Sequence, residues 1–429
     1  MESHEPRAPG GTPPGRGFRL LWAGETTSKV GTAVTSVALP LLATLTLRSS
    51  AFQIGLIAAA QWLPWLLVGL PAGAWVDRWD PRRVMLWCDL LSALAVVGVP
   101  VAAAAGVLTF GQVLVAAFVL GLAGVFFSTA YQVYLPLVVA EDRLVGANAR
   151  LQGSESGAQI AGPSLGGLLT QVFGAAAGLL VDAVSFAVSA ACLLASPAPA
   201  GAARLRGGRP EPVRRAVREG LRFVLGDRLL RRFTLVAALT NLTATATETL
   251  LVIFLVRTVH LPAGTVGVLM AVGGTGGVLG ALAAVPLAGR LGEARVARLS
   301  LAATAPFGLL VPLTARGPAL ALFVVGAAVP VAGMIVYNVV VSSFRQQHVP
   351  RGMLGRISAT MRFLMFGVIP LGALAGGSLG SLIGPRAALW WVAGAALLPG
   401  VLLTLSPLRR MSRLTLLPVA TASAPSGGA

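Results

Sequence analysis

Lysine is almost missing from this chain of 429 residues: Lys29 is the only one, and arginine supplies the rest of the 33 basic side chains. Charge of any sign is scarce, at 11% of residues. A soluble domain carries about 25%, so there is too little here to coat the polar surface of a water-soluble protein this long. Cysteine occurs twice, as Cys88 and Cys192, each inside an apolar run. That excludes a disulfide framework and a cysteine-based metal site. The histidines, His4, His260 and His348, lie in separate polar segments with no zinc-ligand spacing. No phosphate-binding loop is present: Gly273-Gly-Thr-Gly-Gly277 lacks the following Lys-Ser/Thr and sits in an apolar run. No nucleophile, base and orienting group fall into a recognisable set. Neither an enzyme activity nor a cofactor is expected.

What the chain has instead is long apolar runs, with 55% hydrophobic residues. A helix needs about 20 residues to cross the hydrocarbon core of a bilayer. Twelve stretches qualify: Leu20–Leu47, Ile54–Val76, Val84–Gly106, Phe110–Tyr134, Leu144–Val172, Ala175–Ala195, Phe233–Val256, Val266–Gly289, Val296–Thr314, Ala319–Ser342, Leu354–Ile383 and Ala387–Leu405. An all-α membrane protein with two six-helix bundles, 18–196 and 233–406, is therefore expected. Residues 1–17 and 407–429 read as disordered tails. Between the bundles, 197–232 reads as a linker ending in a basic amphipathic segment, with Leu221, Val224 and Leu225 on one face for the anionic leaflet. The net charge of +18 comes from arginines clustered in alternate loops. They indicate orientation in a membrane, not nucleic-acid binding, and place both termini in the cytoplasm of a bacterial plasma membrane.

The halves resemble each other at an offset near 206 residues: Tyr131 and Tyr337, Gly146 and Gly352, and Arg150 and Arg356 correspond in order, with Gly73 and Gly280 one residue out of step. Repeated halves around a shared midplane site are a transporter signature.

Two motifs give the repeat a family. Gly73-Ala-Trp-Val-Asp77-Arg78-Trp-Asp80-Pro-Arg82-Arg83 resembles the signature loop of the major facilitator superfamily. In that family the loop supports switching between inward- and outward-open states. Gly73 should permit close helix contact, and Asp77 should meet cations or a helix end. Asp80-Pro81 stands where many members have Gly-Arg. Gly162-Pro163-Ser-Leu-Gly166-Gly167 resembles the motif of drug:proton antiporters, in which proline bends the helix and glycines allow tight packing. Shorter stretches, such as Leu144-Val-Gly-Ala-Asn148-Ala-Arg150 and Leu354-Gly355-Arg356, are similar to macrolide-efflux and enterobactin-exporter proteins. The resemblance implies an exporter of a small amphiphilic molecule, driven by protons, and a monomer is expected.

Ionisable residues inside apolar spans are costly and face an interior or an aqueous cavity. Glu155 and Glu248 fall near mid-membrane. A carboxylate withdrawn from water favours its protonated form, so both are candidates for proton coupling or cargo binding. Glu25 and Lys29 are four apart and should pair with each other. Asp89 lies near a span end without an evident cation partner. Trp62, Tyr131 and Tyr337 are candidates for lining a cavity, although Trp and Tyr also collect at membrane interfaces. Two other functions stay open: uptake of a nutrient, and a non-transporting sensor on the same scaffold.

Overall fold

The computed structural model describes residues 15–76, 78–140, 143–197, 221–348, 360–361 and 363–405. Asp77, the first 14 residues, most of the expected linker, Gly352, Leu354-Gly355-Arg356 and the tail from position 406 lie outside the described residues. Among those described there is no strand. Helices α1 (Arg16–Leu45), α2 (Ala51–Val76), α3 (Pro81–Ala104), α4 (Phe110–Val138), α5 (Leu144–Phe173) and α6 (Ala177–Ala195) form one half. The other half holds α7 (Arg228–Ile253), α8 (Ala263–Leu291), α9 (Glu293–Thr304), α10 (Leu320–His348), α11 (Ile369–Ile383) and α12 (Pro385–Ala395), the last continued by a short helix, Leu398–Thr404.

Local chemistry sets the boundaries. Asp80 caps α3 by accepting from the Arg82 amide, with Pro81 at the first helical position. Thr109 and Gln112 form a reciprocal capping box at α4. Asp227 accepts from the Leu229 and Leu230 amides, so α7 starts at Arg228, inside the expected linker. Val224, expected on the lipid surface, is buried against Leu230 and Met361. Gly174, Gly292 and Gly384 end or separate helices at positive φ, a conformation that only glycine adopts cheaply. The second half of the α9 span, Ala305–Leu313, is a 3₁₀ helix opened by a proline.

Among the described residues, eleven helical segments are long and apolar enough to cross a membrane. The exception is α5, which carries Asn148, Arg150, Gln152, Ser154, Glu155 and Gln159. It packs against both α1 and α8.

The halves are built alike. In the first, α1 packs on α5 and α6, α2 on α4, and α3 on α4 and α6. The second repeats the scheme six helices later: α7 on α11 and α12, α8 on α10, and α9 on α10 and on the short helix that continues α12. Between halves, α5 meets α8 and α2 meets α11, two contacts exchanged by the same pseudo-twofold. Both use glycine. A Cβ on Gly167 would lie 2.6 Å from the Ala263 carbonyl oxygen, and one on Gly377 would lie 2.7 Å from that of Ala51. Close by, the Gly264 amide donates to Gln171 Oε1 (2.9 Å), the Phe52 amide to Ser381 Oγ (2.8 Å), and Arg257 to the Thr44 carbonyl (3.1 Å). Val37, Leu41 and Val252 add an apolar seal. These contacts cluster at the helix ends remote from Arg16 and Thr404.

Candidate functional site

A cavity of about 550 Å³ lies inside the first half, with walls from α1 to α6. Its position follows from the sequence of α1, where Glu25, Ser28, Lys29, Thr32 and Thr35 recur at helical spacing and all line the cavity. Opposite them, α5 contributes Asn148, Gln152 and Glu155. Lys29 Nζ lies 3.7 Å from Glu25 Oε1 and 3.5 Å from Glu155 Oε1. The expected Glu25–Lys29 pair is thus one arm of a three-membered bridge joining α1 to α5. Side-chain exposure is 40% for Lys29, 36% for Glu155 and 11% for Glu25, so Lys29 and Glu155 face the cavity and Glu25 lies behind them. Trp22 reinforces the α1–α5 seam by donating to Ser154 Oγ at 3.0 Å.

Deeper in the wall are Asp89 and Asp182, both buried. Asp89 has the Ser189 hydroxyl as a partner in place of an arginine. Ser185 donates to Asp182 Oδ1 at 3.1 Å. Aromatic surface comes from Trp62, Trp65, Phe127 and Tyr131. Trp62 and Trp65 each meet Phe366 of the second half, with centroids 5.8 and 5.9 Å apart. Tyr337 is a correction. It is 1% exposed, stacks edge-on against Phe233 and donates to the Phe233 carbonyl, away from both cavities. Sequence offset pairs it with Tyr131, but in burial it matches Tyr134, whose hydroxyl meets Ser196.

The second half holds its own cavity, of about 290 Å³. Glu248 opens into it, among Thr240, Thr243, Thr247, Met270 and Met334. Glu155 and Glu248 are therefore not brought together. Each belongs to a different half.

The two motifs take different structural roles. Gly162 and Gly166 on α5 lie against α1, where a Cβ would meet the Ala33 carbonyl carbon at 2.8 Å and the Val34 oxygen at 2.7 Å respectively. Gly167 faces α8 instead. Around Pro163 the helix thus touches both its own half and the other. In the loop after α2, Arg82 donates to the carbonyls of Leu193 and Leu194, both at 2.9 Å, and so closes the C-terminus of α6. Arg83 pairs with Asp80 at 3.6 Å and is largely exposed, as is Arg78. Gly73 differs from expectation: among the described residues, a Cβ there would meet nothing within 4 Å.

Residues 14–426 match the family model described as "Transmembrane secretion effector". The chain belongs to this family of major facilitator transporters. Similarity to named proteins agrees. The multidrug efflux pump Tap of Mycobacterium tuberculosis (strain ATCC 25618 / H37Rv) is 32% identical over 392 residues, covering 87% of this chain and 89% of the relative. Macrolide efflux protein A of Streptococcus pyogenes is 25% identical over 172 residues, covering 40% and 42%. Among solved structures, the nucleoside transporter NupG superposes with a TM-score of 0.70 at 16% identity, over 90% of this chain and 98% of that one. The last likeness is one of fold. This member of the transmembrane secretion effector family is a multi-pass membrane transporter and not an enzyme.

Proposed function

We propose that this efflux transporter exports small amphiphilic molecules by proton antiport, with the Glu25–Lys29–Glu155 bridge as the coupling element. The observation that carries the reading is the position of that bridge: Lys29 lies within 3.7 Å of both Glu25 and Glu155, joining two helices on the wall of a cavity. A cation placed between two carboxylates is attracted to both. A proton delivered to Glu155 removes one arm, frees Lys29 toward the other and loosens α1 from α5. Since α5 also carries the α8 contact, the loosened helix transmits the change to the interface between halves. Cargo does the reverse, by favouring the state in which its own cavity is open. Coupling requires only that proton and cargo prefer different states.

The direction of access follows from where the halves touch. Their close contacts cluster at the end remote from the termini, so the crevice opens at the end of the arginine-rich loops. By the positive-inside rule that end is cytoplasmic, the side from which an exporter loads. The efflux relatives named above support export over uptake.

Reconstitution into liposomes with an imposed pH gradient tests this. Ethidium, a fluorescent amphiphilic cation, should be moved against its gradient by the wild type, and transport should stop when a protonophore collapses the pH difference. Glu155→Gln should lose gradient-driven transport and keep ethidium exchange at equal pH. Gradient-driven transport at the wild-type rate in Glu155→Gln would remove the bridge from the mechanism.

A further inference from the structure

The polar lining of the second cavity consists almost wholly of hydrogen-bond acceptors. Thr240, Thr243 and Thr247 line it in successive turns of α7, and each hydroxyl donates back along its own helix: to Val236 at 2.8 Å, Leu239 at 3.0 Å and Thr243 at 2.9 Å. Thr304 does the same, toward Ser300 at 2.6 Å. A hydroxyl that has spent its proton on the backbone turns lone pairs outward. Pro330 withholds the amide that the Gly326 carbonyl would otherwise meet, and both residues line the cavity. The remaining polar group is Glu248. No hydrogen bond or ion pair of its carboxylate occurs among the described residues. Among the described residues, no Lys, Arg, His, Asn, Gln or Trp contributes to the wall. The rest is apolar and sulfur-bearing, from Met270, Met334 and Phe323 among others.

A wall with one carboxylate, several acceptor oxygens and no side-chain donor to spare is complementary to positive charge. We propose that this second-half cavity is a subsite for organic cations, with Glu248 as counter-ion and the α7 threonine oxygens receiving the N–H groups of protonated amines. Methionine side chains adapt to varied apolar bodies, and an aromatic ring such as Phe323 favours a cation over its face. The first cavity, which holds Lys29 as well as acids, has no such exclusive preference. The inference deepens the export reading by naming a cargo class for the second half, and it rests on that reading only for direction.

Purified full-length protein in detergent provides the test. Tetraphenylphosphonium and a neutral analogue of matching bulk, tetraphenylmethane solubilised in the same micelles, are compared by displacement of a bound fluorescent cation. The wild type should prefer the cation by about tenfold or more, the range expected for one desolvated charge pair. In Glu248→Gln that preference should vanish, while Glu248→Asp, which keeps the charge, should retain most of it. Thr247→Val should weaken a protonated arylalkylamine more than tetraphenylphosphonium, which has no N–H to donate. Unchanged cation preference in Glu248→Gln, or no preference in the wild type, overturns the subsite. Gradient-driven flux is measured on the same proteins. If it is absent while the cation still binds through Glu248, proton coupling fails and the subsite stands. If it persists while Glu248→Gln binds the cation as the wild type does, the subsite fails alone.

Discussion

Lys29 is the sole ammonium in a chain whose other cations are guanidinium groups. The two are not equivalent. An ammonium is a compact point charge that can pass from one carboxylate to another, whereas guanidinium forms a planar fork that holds a carboxylate bidentately. At 3.5 and 3.7 Å from its two partners, Lys29 is close to both and tightly bonded to neither. Lys29→Arg should therefore slow gradient-driven transport by about tenfold, equivalent to ~1.4 kcal/mol on the barrier, while leaving cargo affinity near that of the wild type. Lys29→Met should do more, because it leaves two carboxylates facing each other in a partly buried site. Initial rates and equilibrium binding on the same preparations separate the two effects. Half of this arrangement is legible in the sequence: a spacing of four puts Glu25 and Lys29 on one helical face. The other half is not, since Glu155 lies 126 positions away and no periodicity reports which helix will stand beside α1.

At the level of elements, the junction between α2 and α3 combines a strong and a weak polar interaction within four residues. The Asp80 carboxylate caps α3 through the Arg82 amide at 3.0 Å and also pairs with Arg83 at 3.6 Å, an ion pair largely in water. Loss of an N-cap costs about 1 kcal/mol, whereas an exposed ion pair is worth close to nothing. Asp80→Ala should lower the melting temperature of the detergent-solubilised protein, and Arg83→Gln should leave it unchanged. Arg82→Gln should be the most damaging of the three, because two carbonyls at the end of α6 lose charged donors worth about 1.5–3 kcal/mol each. The cap is legible in the sequence: Asp-Pro before an apolar run is a helix-start signal, and it explains why this chain departs from Gly-Arg at that point. The α6 partner is not, because it depends on tertiary approach. The same division holds elsewhere. Lipid forces long apolar helices, so the spans could be read from composition. The 3₁₀ turn of Ala305–Leu313 and the burial of Tyr337 reflect packing, which leaves no period in the sequence.

For the whole molecule, what matters is that the halves meet through backbone approaches where no side chain fits. Gly167 and Gly377 sit at pseudo-equivalent points, on α5 against α8 and on α11 against α2. Any alternating motion has to break both contacts together, since each half is packed as one body by its own helix pairs. Overpacking either contact costs about 1–3 kcal/mol, enough to shift a two-state equilibrium by about fivefold to 150-fold. Gly167→Leu and Gly377→Leu should thus populate the form open at the end remote from the termini. Locking that end should do the opposite. Across the seam the Phe52 amide donates to Ser381 Oγ at 2.8 Å, close enough for a cysteine pair at these positions to test whether a disulfide can form. With the native thiols Cys88 and Cys192 replaced by alanine, the pair Phe52→Cys and Ser381→Cys should cross-link under mild oxidation and stop transport, and a reductant should restore it. Undiminished flux in the fully cross-linked protein would mean that this seam does not open during the cycle, and alternating access through parting of the two halves at this end would have to be abandoned.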